Sequence, residues 1–245
     1  MKIVFHENFF DVYSEDPASA EGRLDRAYRI LKGNFELVEP EPAREEDLLL
    51  VHSQAHVSHI KQDTHLFEIA SMAVGGAVRA SEMALAGEPA FGLIRPPGHH
   101  ASPNSCWGFC YFNNIAIAIR RLLHDRKINS ALIIDFDLHF GDGTSNTFTG
   151  DASVTYHHMG SGPKELENFI SRTGDFDMLG VSAGFDRGVA DWGGTLSDED
   201  YEQIGELLRR FSLEKSQGRR FAILEGGYNH TTLGASILSF LEGFT

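Results

Sequence analysis

Three ionisable side chains stand at alternate positions where one apolar run of the sequence ends, in SALIIDFDLH (residues 130–139). In an extended strand, Asp135, Asp137 and His139 would project from the same face, because side chains alternate between the two faces. Groups crowded in this way repel and desolvate one another unless the strand end is solvated or meets a cation. Asp137 and His139 could both reach a metal ion about 2 Å away, and a third protein ligand would leave one position open for water.

Polar or glycine-rich clusters also follow three other apolar runs. RPPGHHA follows Ile94, SAGFD follows Val181 and EGGYN follows Leu224. Open parallel sheets bind ligands beyond the carboxyl ends of their strands, where the loops converge, so these clusters predict one shared site. Asp186, the last residue of SAGFD, is the natural third metal ligand. Two carboxylates and one imidazole favour zinc (Zn2+), with ferrous iron (Fe2+) as the alternative.

The other polar groups of these clusters are suited to proton transfer. His99 and His100 are adjacent imidazoles, and each would need a partner that fixes its tautomer. Asp135 and Asp142 are carboxylates in the same neighbourhood. Tyr228 follows a Gly-Gly pair that allows a sharp turn, and it could donate its hydroxyl to a developing oxyanion. Because a metal lowers the pKa of its bound water and polarises a carbonyl, these residues predict a metal-dependent hydrolase.

The elements that must position these residues alternate between apolar runs and helical patterns, which is typical of a parallel sheet wrapped by helices. The predicted strands are Lys2–Phe5, Phe35–Val38, Phe91–Ile94, Ala131–Phe136, Ser153–Tyr156, Met178–Val181 and Phe221–Leu224. The predicted helices are Leu24–Leu31, Leu66–Ala86, Asn113–His124, Lys164–Ser171, Asp198–Phe211 and Thr231–Leu241. We therefore expect the α/β class: a single three-layer α/β/α domain over residues 1–245 with a central, mainly parallel sheet.

Composition limits the partners and the compartment. The formal net charge of −14 disfavours nucleic acid and anionic lipid as partners and tolerates cationic ligands. Cys106 and Cys110 are too few for a disulfide framework and lack the second ligand pair of a structural zinc knuckle. MKIVFHENFF is not a signal peptide, and no apolar run approaches membrane-spanning length. We expect a cytoplasmic protein without nucleic-acid or membrane partners, and an oligomer is compatible with the sequence.

Five motifs, in order along most of the chain, resemble the histone deacetylase superfamily, the zinc amidohydrolases that include acetylpolyamine amidohydrolases and acetoin-utilisation proteins. They are RPPGHHA (Arg95–Ala101), GFCYFNNIAIA (Gly108–Ala118), IDFDLHFGDGT (Ile134–Thr144), SAGFD (Ser182–Asp186) and LEGGYN (Leu224–Asn229). The spelling of RPPGHHA and LEGGYN is nearer the class II and bacterial-type branch than the class I enzymes. The resemblance implies an arginase/deacetylase-like fold. It also implies hydrolysis of acylated lysine in peptides or proteins, or of small acylated amines.

The resemblance implies that Asp137, His139 and Asp186 bind the zinc ion. It also implies a monovalent cation, usually potassium (K+), held behind the metal site by backbone oxygens and Asp135. The residues expected to contact the substrate are Gly108, Phe109, Gly226 and Gly227.

The resemblance assigns the proton transfers to the His pair. His100, paired with Asp142, would be the general base for the attacking water and then the acid for the leaving amine. His99, paired with Asp135, would act mainly electrostatically. Tyr228 would polarise the scissile carbonyl opposite the metal.

Several positions depart from the family pattern. Phe140 replaces the second His of the usual DLHHGDG, and no loss of activity is expected because that His is not a ligand. Residues 65–74 contain no acidic residue that matches the Asp that holds the substrate backbone in eukaryotic relatives. Residues 162–175 contain no counterpart of the Phe on the far wall of the channel. Trp107 or Trp192 could supply that wall, and we expect a shallow, less selective site.

Two other functions fit the sequence less well than hydrolysis does. A non-catalytic acyl-amine-binding module of the same fold would be expected to lose the His pair, the Tyr or a metal ligand, and none is lost. An arginase-type enzyme with two metals would need further aspartates. Asp142 is present, but SAGFDRGVAD lacks the D-x-D form.

Further histidines invite a metal interpretation. His52, His56 and His59 share a helical face, and His65 follows, but no carboxylate or Cys partner lies nearby in the sequence. A surface or packing role is therefore expected for them. His157-His158 follow a predicted strand, where a structural role is expected.

Overall fold

Seven strands form one sheet in the computed structural model, which describes residues 1–245. They are β1 (Lys2–Val4), β2 (Glu36–Val38), β3 (Ala90–Gly92), β4 (Ala131–Asp135), β5 (Val154–His158), β6 (Met178–Ala183) and β7 (Arg220–Leu224). Their order across the sheet is β2-β1-β3-β7-β6-β4-β5, and every neighbouring pair is parallel. The predicted α/β class with a central parallel sheet is confirmed, and the sheet is parallel throughout.

Nine α-helices accompany the sheet. They are α1 (Asp25–Asn34), α2 (Glu45–Leu48), α3 (Gln54–Ile60), α4 (Thr64–Leu85), α5 (Asn114–His124), α6 (Asp142–Phe148), α7 (Pro163–Ile170), α8 (Asp198–Lys215) and α9 (Leu233–Phe244). Helix α4 packs on α5 and on β3 and β7, whereas α8 packs along α9 and α9 contacts α1. None of the helices combines the length and the apolar content needed to cross a bilayer.

The order and register of the strands bring the four polar clusters together. The clusters follow β3, β7, β6 and β4, which are consecutive neighbours in the sheet. Asp135 of β4 pairs with Ser182 of β6, and Ala183 of β6 pairs with Leu224 of β7. Because these strands are parallel and end at about the same level, the four loops leave one edge of the sheet side by side. The structure thus brings together the four clusters for which one shared site is predicted.

Helices α8 and α9 approach each other closely at two glycines. A Cβ atom at Gly205 would lie 2.2 Å from the backbone oxygen of Phe240, and one at Gly243 would lie 2.0 Å from that of Glu202. Side chains are therefore excluded at both positions. The close crossing seats Phe240 against Phe136 and Phe185, with ring centroids 5.2 and 6.1 Å away, directly beneath the loops that carry the polar clusters.

Candidate active site

Asp137, His139 and Asp186 converge at the ends of β4 and β6, with ligand atoms within 4.8 Å of one another. His139 Nδ1 lies 3.3 Å from Asp137 Oδ1 and 3.2 Å from Asp186 Oδ2. Tetrahedral ligands on zinc bonds of 2.0–2.1 Å would be about 3.3 Å apart, so the spacing fits zinc. Although near the imidazole, Asp186 Oδ2 is outside hydrogen-bond geometry and is a buried oxygen without a donor. A bound cation would satisfy that oxygen.

The electrostatics of this cluster also favour a cation. The neighbouring carboxylates of Asp137 and Asp186 raise the pKa of His139 to about 10. Burial and the Asp137 carboxylate raise the pKa of Asp186 to about 6. Both shifts arise because two carboxylates share a poorly solvated space, and a divalent cation would relieve their repulsion. The His139 side chain is 41% exposed, so the cluster is open on one side.

Backbone amides hold both carboxylates of the cluster in place. Asp137 Oδ1 accepts from the His139 amide at 2.9 Å, and its Oδ2 accepts from the Gly226 amide at 2.8 Å. Asp186 Oδ1 accepts from the Leu138 amide at 3.0 Å. Such second contacts orient the ligands of metal sites. They leave one oxygen of Asp186 and the imidazole Nδ1 free to face an ion.

The two adjacent imidazoles have different partners and different charges. His99 Nδ1 lies 3.0 Å from Asp135 Oδ2, and His100 Nδ1 lies 2.7 Å from Asp142 Oδ1. Burial would lower the pKa of His99, but Asp137 and Asp135 outweigh it and hold that pKa well above its ordinary value. Burial and the neighbouring His99 lower the pKa of His100. These surroundings favour the protonated form of His99 and the neutral form of His100, whose proton would lie on Nδ1, facing the carboxylate.

The loop that carries the His pair is held from beneath by two buried residues. Glu225 Oε2 accepts from the backbone amides of Gly98 and His99 at 2.7 and 3.2 Å. His52 Nδ1 lies 3.1 Å from the Ser102 backbone oxygen of this loop, and its Nε2 accepts from the Asn113 amide at 2.9 Å. Burial, with help from a neighbouring imidazole, lowers the pKa of His52 to about 3. Motif spacing did not reveal these roles, although Glu225 lies inside LEGGYN. Both residues fix the position of the His pair without reaching the open side of the cluster.

The remaining histidines are placed apart from the cluster. His52 and His56 are buried and stack at 4.8 Å, so the packing role expected for them is confirmed, whereas His59 and His65 are exposed. His157 stacks on a phenylalanine ring at 3.6 Å and lies 3.0 Å from a carboxylate oxygen of α7. None of these imidazoles belongs to a group of ligand atoms suited to a metal.

A second trio of ligand atoms, from His99, Cys110 and Glu225, is also close together. Its members are already engaged: His99 with Asp135, and Glu225 with two backbone amides. Burial raises the pKa of the Cys110 thiol well above its ordinary value, so the thiol stays protonated. Since metals bind the thiolate, this trio is poorly suited to a metal.

A cavity of about 110 Å³ opens above the metal-ligand cluster. Its lining residues are Pro97, His99, His100, Trp107, Gly108, Phe109, His139, Trp192 and Tyr228. Trp192 stacks on Tyr228 at 4.1 Å, and Trp107 lies over His100 at 3.9 Å. The two indole side chains are about half exposed. A single layer of aromatic rings therefore separates the polar residues at the bottom of the cavity from solvent, which makes the cavity shallow. A larger cavity of about 450 Å³ lies between α2, α4 and α5, but no group of possible metal ligands lines it. We therefore assign the candidate active site to the smaller cavity.

The turn that carries Tyr228 is fixed by a buried arginine that sequence patterns did not single out. Arg23 donates from Nε to the Gly227 oxygen at 2.8 Å and from Nη2 to the Glu225 oxygen at 2.7 Å. Its guanidinium carbon lies 5.2 Å from the centre of the Tyr228 ring. Gly226 packs against the metal-ligand carboxylates and Gly227 against an apolar side chain, so neither lines the cavity, unlike Gly108 and Phe109.

The surroundings of Asp135 bear on the monovalent cation that the family resemblance implies. Asp135 Oδ1 accepts from the Asp137 amide at 3.0 Å, and Oδ2 accepts from the Tyr156 hydroxyl at 2.9 Å in addition to its imidazole partner. The nearby backbone oxygens of Phe136 and Asp137 accept from Arg187 Nε at 3.1 and 3.0 Å. Both carboxylate oxygens therefore have donors, and the carbonyl oxygens beside them already face a positive charge.

Comparison with known proteins adds a decisive observation. A family model described as histone deacetylase domain matches residues 17–164. A probable deacetylase of Methanothermobacter thermautotrophicus is 30% identical over 98% of this chain and 90% of that protein. Another from Archaeoglobus fulgidus is 31% identical over 99% of this chain and 86% of that protein. The chain belongs to the histone deacetylase family. This relationship supports a hydrolase that acts on amides.

The fold of this histone deacetylase family member is also found in a solved structure. The crystal structure of the HDA15 HD domain superposes with a TM-score of 0.85 at 21% identity, covering 99% of this chain and 88% of that one. The alignment with the Methanothermobacter protein extends over 302 positions, more than the 245 residues of this chain. The relative therefore contains insertions, which agrees with reduced loops in this chain.

Proposed function

We propose that this protein is a zinc-dependent hydrolase that removes acetyl or other acyl groups from lysine side chains or small acylated amines. One observation carries the proposal. A single small cavity is lined by His139, which is one of three converging candidate metal ligands, by two adjacent imidazoles whose pKa values shift in opposite directions, and by a tyrosine side chain. Hydrolysis of an amide needs these elements together: an activated water, a group that moves a proton, and donors for the developing oxyanion. Membership of the deacetylase family supports the same reaction.

The metal ion would be held by one carboxylate oxygen of Asp137, one carboxylate oxygen of Asp186 and one imidazole nitrogen of His139. Zinc, when bound, lowers the pKa of its water and polarises the carbonyl group. The same donor set suits ferrous iron, so the identity of the metal is part of the proposal. The exposed side of His139 leaves room for water and for the substrate oxygen.

His100 is the proposed proton carrier. Its pKa is lowered, so the imidazole is neutral, and its Nδ1 proton faces Asp142, which leaves Nε2 free as an acceptor. Nε2 takes the proton of the attacking water and then gives it to the amine nitrogen, so that the C–N bond breaks and a neutral amine leaves. A positioned general base typically contributes about 10²–10⁴-fold to the rate.

His99 and Tyr228 would stabilise the oxyanion that forms during the attack. The Asp135 carboxylate, 3.0 Å from Nδ1, favours the protonated form of His99. Burial raises the pKa of Tyr228 far above neutrality, so its hydroxyl keeps the proton that it donates. Both groups line the cavity with the metal ligand His139. Donors aimed at such a charge in a site with little water make the largest single contribution in many hydrolases.

The walls of the cavity favour an alkyl amide. Trp107, Phe109 and Trp192 present aromatic surface, which suits the methylene chain of a lysine or an alkyl amine. Gly108 is required beside them, because a Cβ atom there would lie 2.5 Å from His100 Cδ2. The shallow rim offers few contacts to a peptide backbone. We therefore infer weak dependence on peptide sequence and turnover of small acylated amines.

A substrate panel tests the proposal. Purified protein reconstituted with zinc would be given acetyl-lysine peptides, longer acyl-lysines, acetylpolyamines and small acetamides, and the release of acid and amine would be quantified. We expect hydrolysis of both peptides and small amides, with high KM because the rim supplies little uniform binding. Asp186→Asn serves as the metal-depleted control. Failure to release acid from any amide at full zinc occupancy would reject the proposed function.

A further inference from the structure

Arg187 is a buried cation without a carboxylate partner. It directly follows Asp186, its residue exposure is 7%, and it forms no ion pair. Its guanidinium instead donates to backbone carbonyl oxygens. The contacts are Nε to Phe136 O at 3.1 Å and Asp137 O at 3.0 Å, Nη1 to Gly160 O at 2.9 Å, and Nη2 to Met159 O at 2.8 Å.

A fifth contact completes the surroundings of this guanidinium. Arg187 Nη2 lies 3.2 Å from His158 Nε2, and burial lowers the pKa of His158. The imidazole is therefore neutral and accepts at Nε2, which places its proton on Nδ1, a buried atom without another partner. Every acceptor around Arg187 is thus a neutral oxygen or nitrogen lone pair that points at one positive charge.

Four converging carbonyl oxygens are the ligands that a hard cation takes in proteins, and backbone carbonyls replace the hydration shell of potassium in this way. Here the four oxygens come from the ends of β4 and β5, beside Asp135 and Asp137. A guanidinium fills the space, makes directional hydrogen bonds and is always charged. It also cannot diffuse away, because it is attached to the chain.

We propose that the Arg187 guanidinium is the resident cation behind the metal-ligand cluster, in place of the exchangeable monovalent ion implied by the family resemblance. Arg187 ties the loop of Asp186 to the backbone of Asp137, so the charge that neutralises this region also positions two metal ligands. Stability and activity should then be independent of potassium. This inference rests on the hydrogen bonds of Arg187 and does not require the proposed function.

The first test compares potassium with choline at equal ionic strength. For the wild-type protein, the Tm and the activity of the zinc-loaded enzyme should be the same in both salts, since an ion that binds only the folded state raises Tm by mass action. Crystals soaked in thallium(I), a potassium substitute, should show no anomalous peak beside the oxygens of Phe136, Asp137 and Met159. A saturable rise of wild-type Tm or activity with potassium, or a thallium peak at these oxygens, would overturn the proposal.

The second test removes the guanidinium. Arg187→Ala leaves the carbonyl oxygens without a donor and should lower Tm, because unsatisfied buried polar groups are destabilising. Potassium should then raise the Tm of this variant by several degrees more than choline does. A folded variant with no preference for potassium would contradict the idea that these oxygens form a cation site.

Arg220→Ala is the matched control. Arg220 is also buried and donates to the backbone oxygens of Phe244 and Thr245 at 2.9 and 3.0 Å, at the far end of β7. Its removal should lower Tm equally in potassium and in choline. If Arg187→Ala does not fold, the wild-type salt comparison and the thallium soak still decide the question.

Discussion

Tyr228→Phe removes a single oxygen and leaves the ring in its place. The ring stacks on Trp192 at 4.1 Å and contacts Phe109 edge to face at 5.9 Å, and these contacts do not need the hydroxyl. The backbone amide of Tyr228 is held at 2.7 Å by Asp191 Oδ2. The hydroxyl forms no hydrogen bond with another protein group. The free energy of unfolding should therefore change little.

The expected loss lies in kcat. Removing one donor from an oxyanion site costs about 10²–10³ in kcat, equivalent to about 2.7–4 kcal/mol. The lower end, near 10², is expected because the indole walls above Tyr228 are about half exposed and water reaches the rim. KM should change by less than about threefold, since the hydroxyl acts on charge that develops only in the transition state.

The assay is steady-state release of acid from the best amide of the panel, with zinc content and Tm measured in parallel. Tyr201→Phe is the matched control. The Tyr201 hydroxyl is also buried without a partner, but the ring packs on Phe136 and Phe185 and does not line the cavity. It should keep wild-type kcat. An increase in KM alone for Tyr228→Phe would make Tyr228 a binding group and refute the reasoning.

Four further predictions concern the metal, the His pair and the indole that lies over it. Asp186→Asn should abolish hydrolysis and reduce bound zinc, because it alters one of three ligands, and full occupancy by elemental analysis would contradict the assignment. His100→Ala should lower the activity by about 10²–10⁴-fold, which is what a positioned general base typically contributes, and His99→Ala should lower it less. Because a base works when deprotonated and the pKa of His100 lies below the ordinary 6.5, kcat/KM should stay high below that pH and fall only in more acidic buffer. An acidic limb above 6.5 would argue against His100. Trp107→Phe keeps a ring over His100 but removes the N–H that donates to Asp142 Oδ2 at 2.8 Å, so kcat should fall about tenfold with KM kept. A change in KM alone would make Trp107 only a wall.

Strands β3, β4, β6 and β7 were predictable because every residue in them is buried, and buried parallel strands form continuous apolar runs. All seven strands lie within two residues of their predicted bounds. Strand β5 does not end where its apolar residues end. It extends beyond Tyr156 through two polar histidines, because it pairs with β4 as far as Asp135 and His158. Helices α2, α3 and α6 are not among the predicted helices, because four or seven residues are too few to display an apolar period.

The candidate site was predictable only where its residues belong to motifs. The pairs His99–Asp135 and His100–Asp142 have the expected partners, because the motif order gave both members. Arg23 contacts a backbone oxygen 204 positions away, and no spacing rule connects such partners. The sequence does contain a signal for the role of Arg187. A basic residue that comes shortly after a buried strand and directly after a candidate metal-ligand Asp has little access to solvent and must find acceptors inside the protein.

The candidate metal ligands at the bottom of the cavity and the aromatic residues around its opening are held in place by different parts of the chain. This explains how the loops around the opening can be short while all the candidate ligands are present. Backbone amides of the strand ends orient Asp137 and Asp186, and the Arg187 guanidinium joins the ends of β4 and β5. None of these contacts involves the outer loops. The rim consists of two half-exposed indoles that rest on His100 and Tyr228. Loop length can therefore change substrate access and KM while the proposed metal ligands and the proposed proton carrier stay in place.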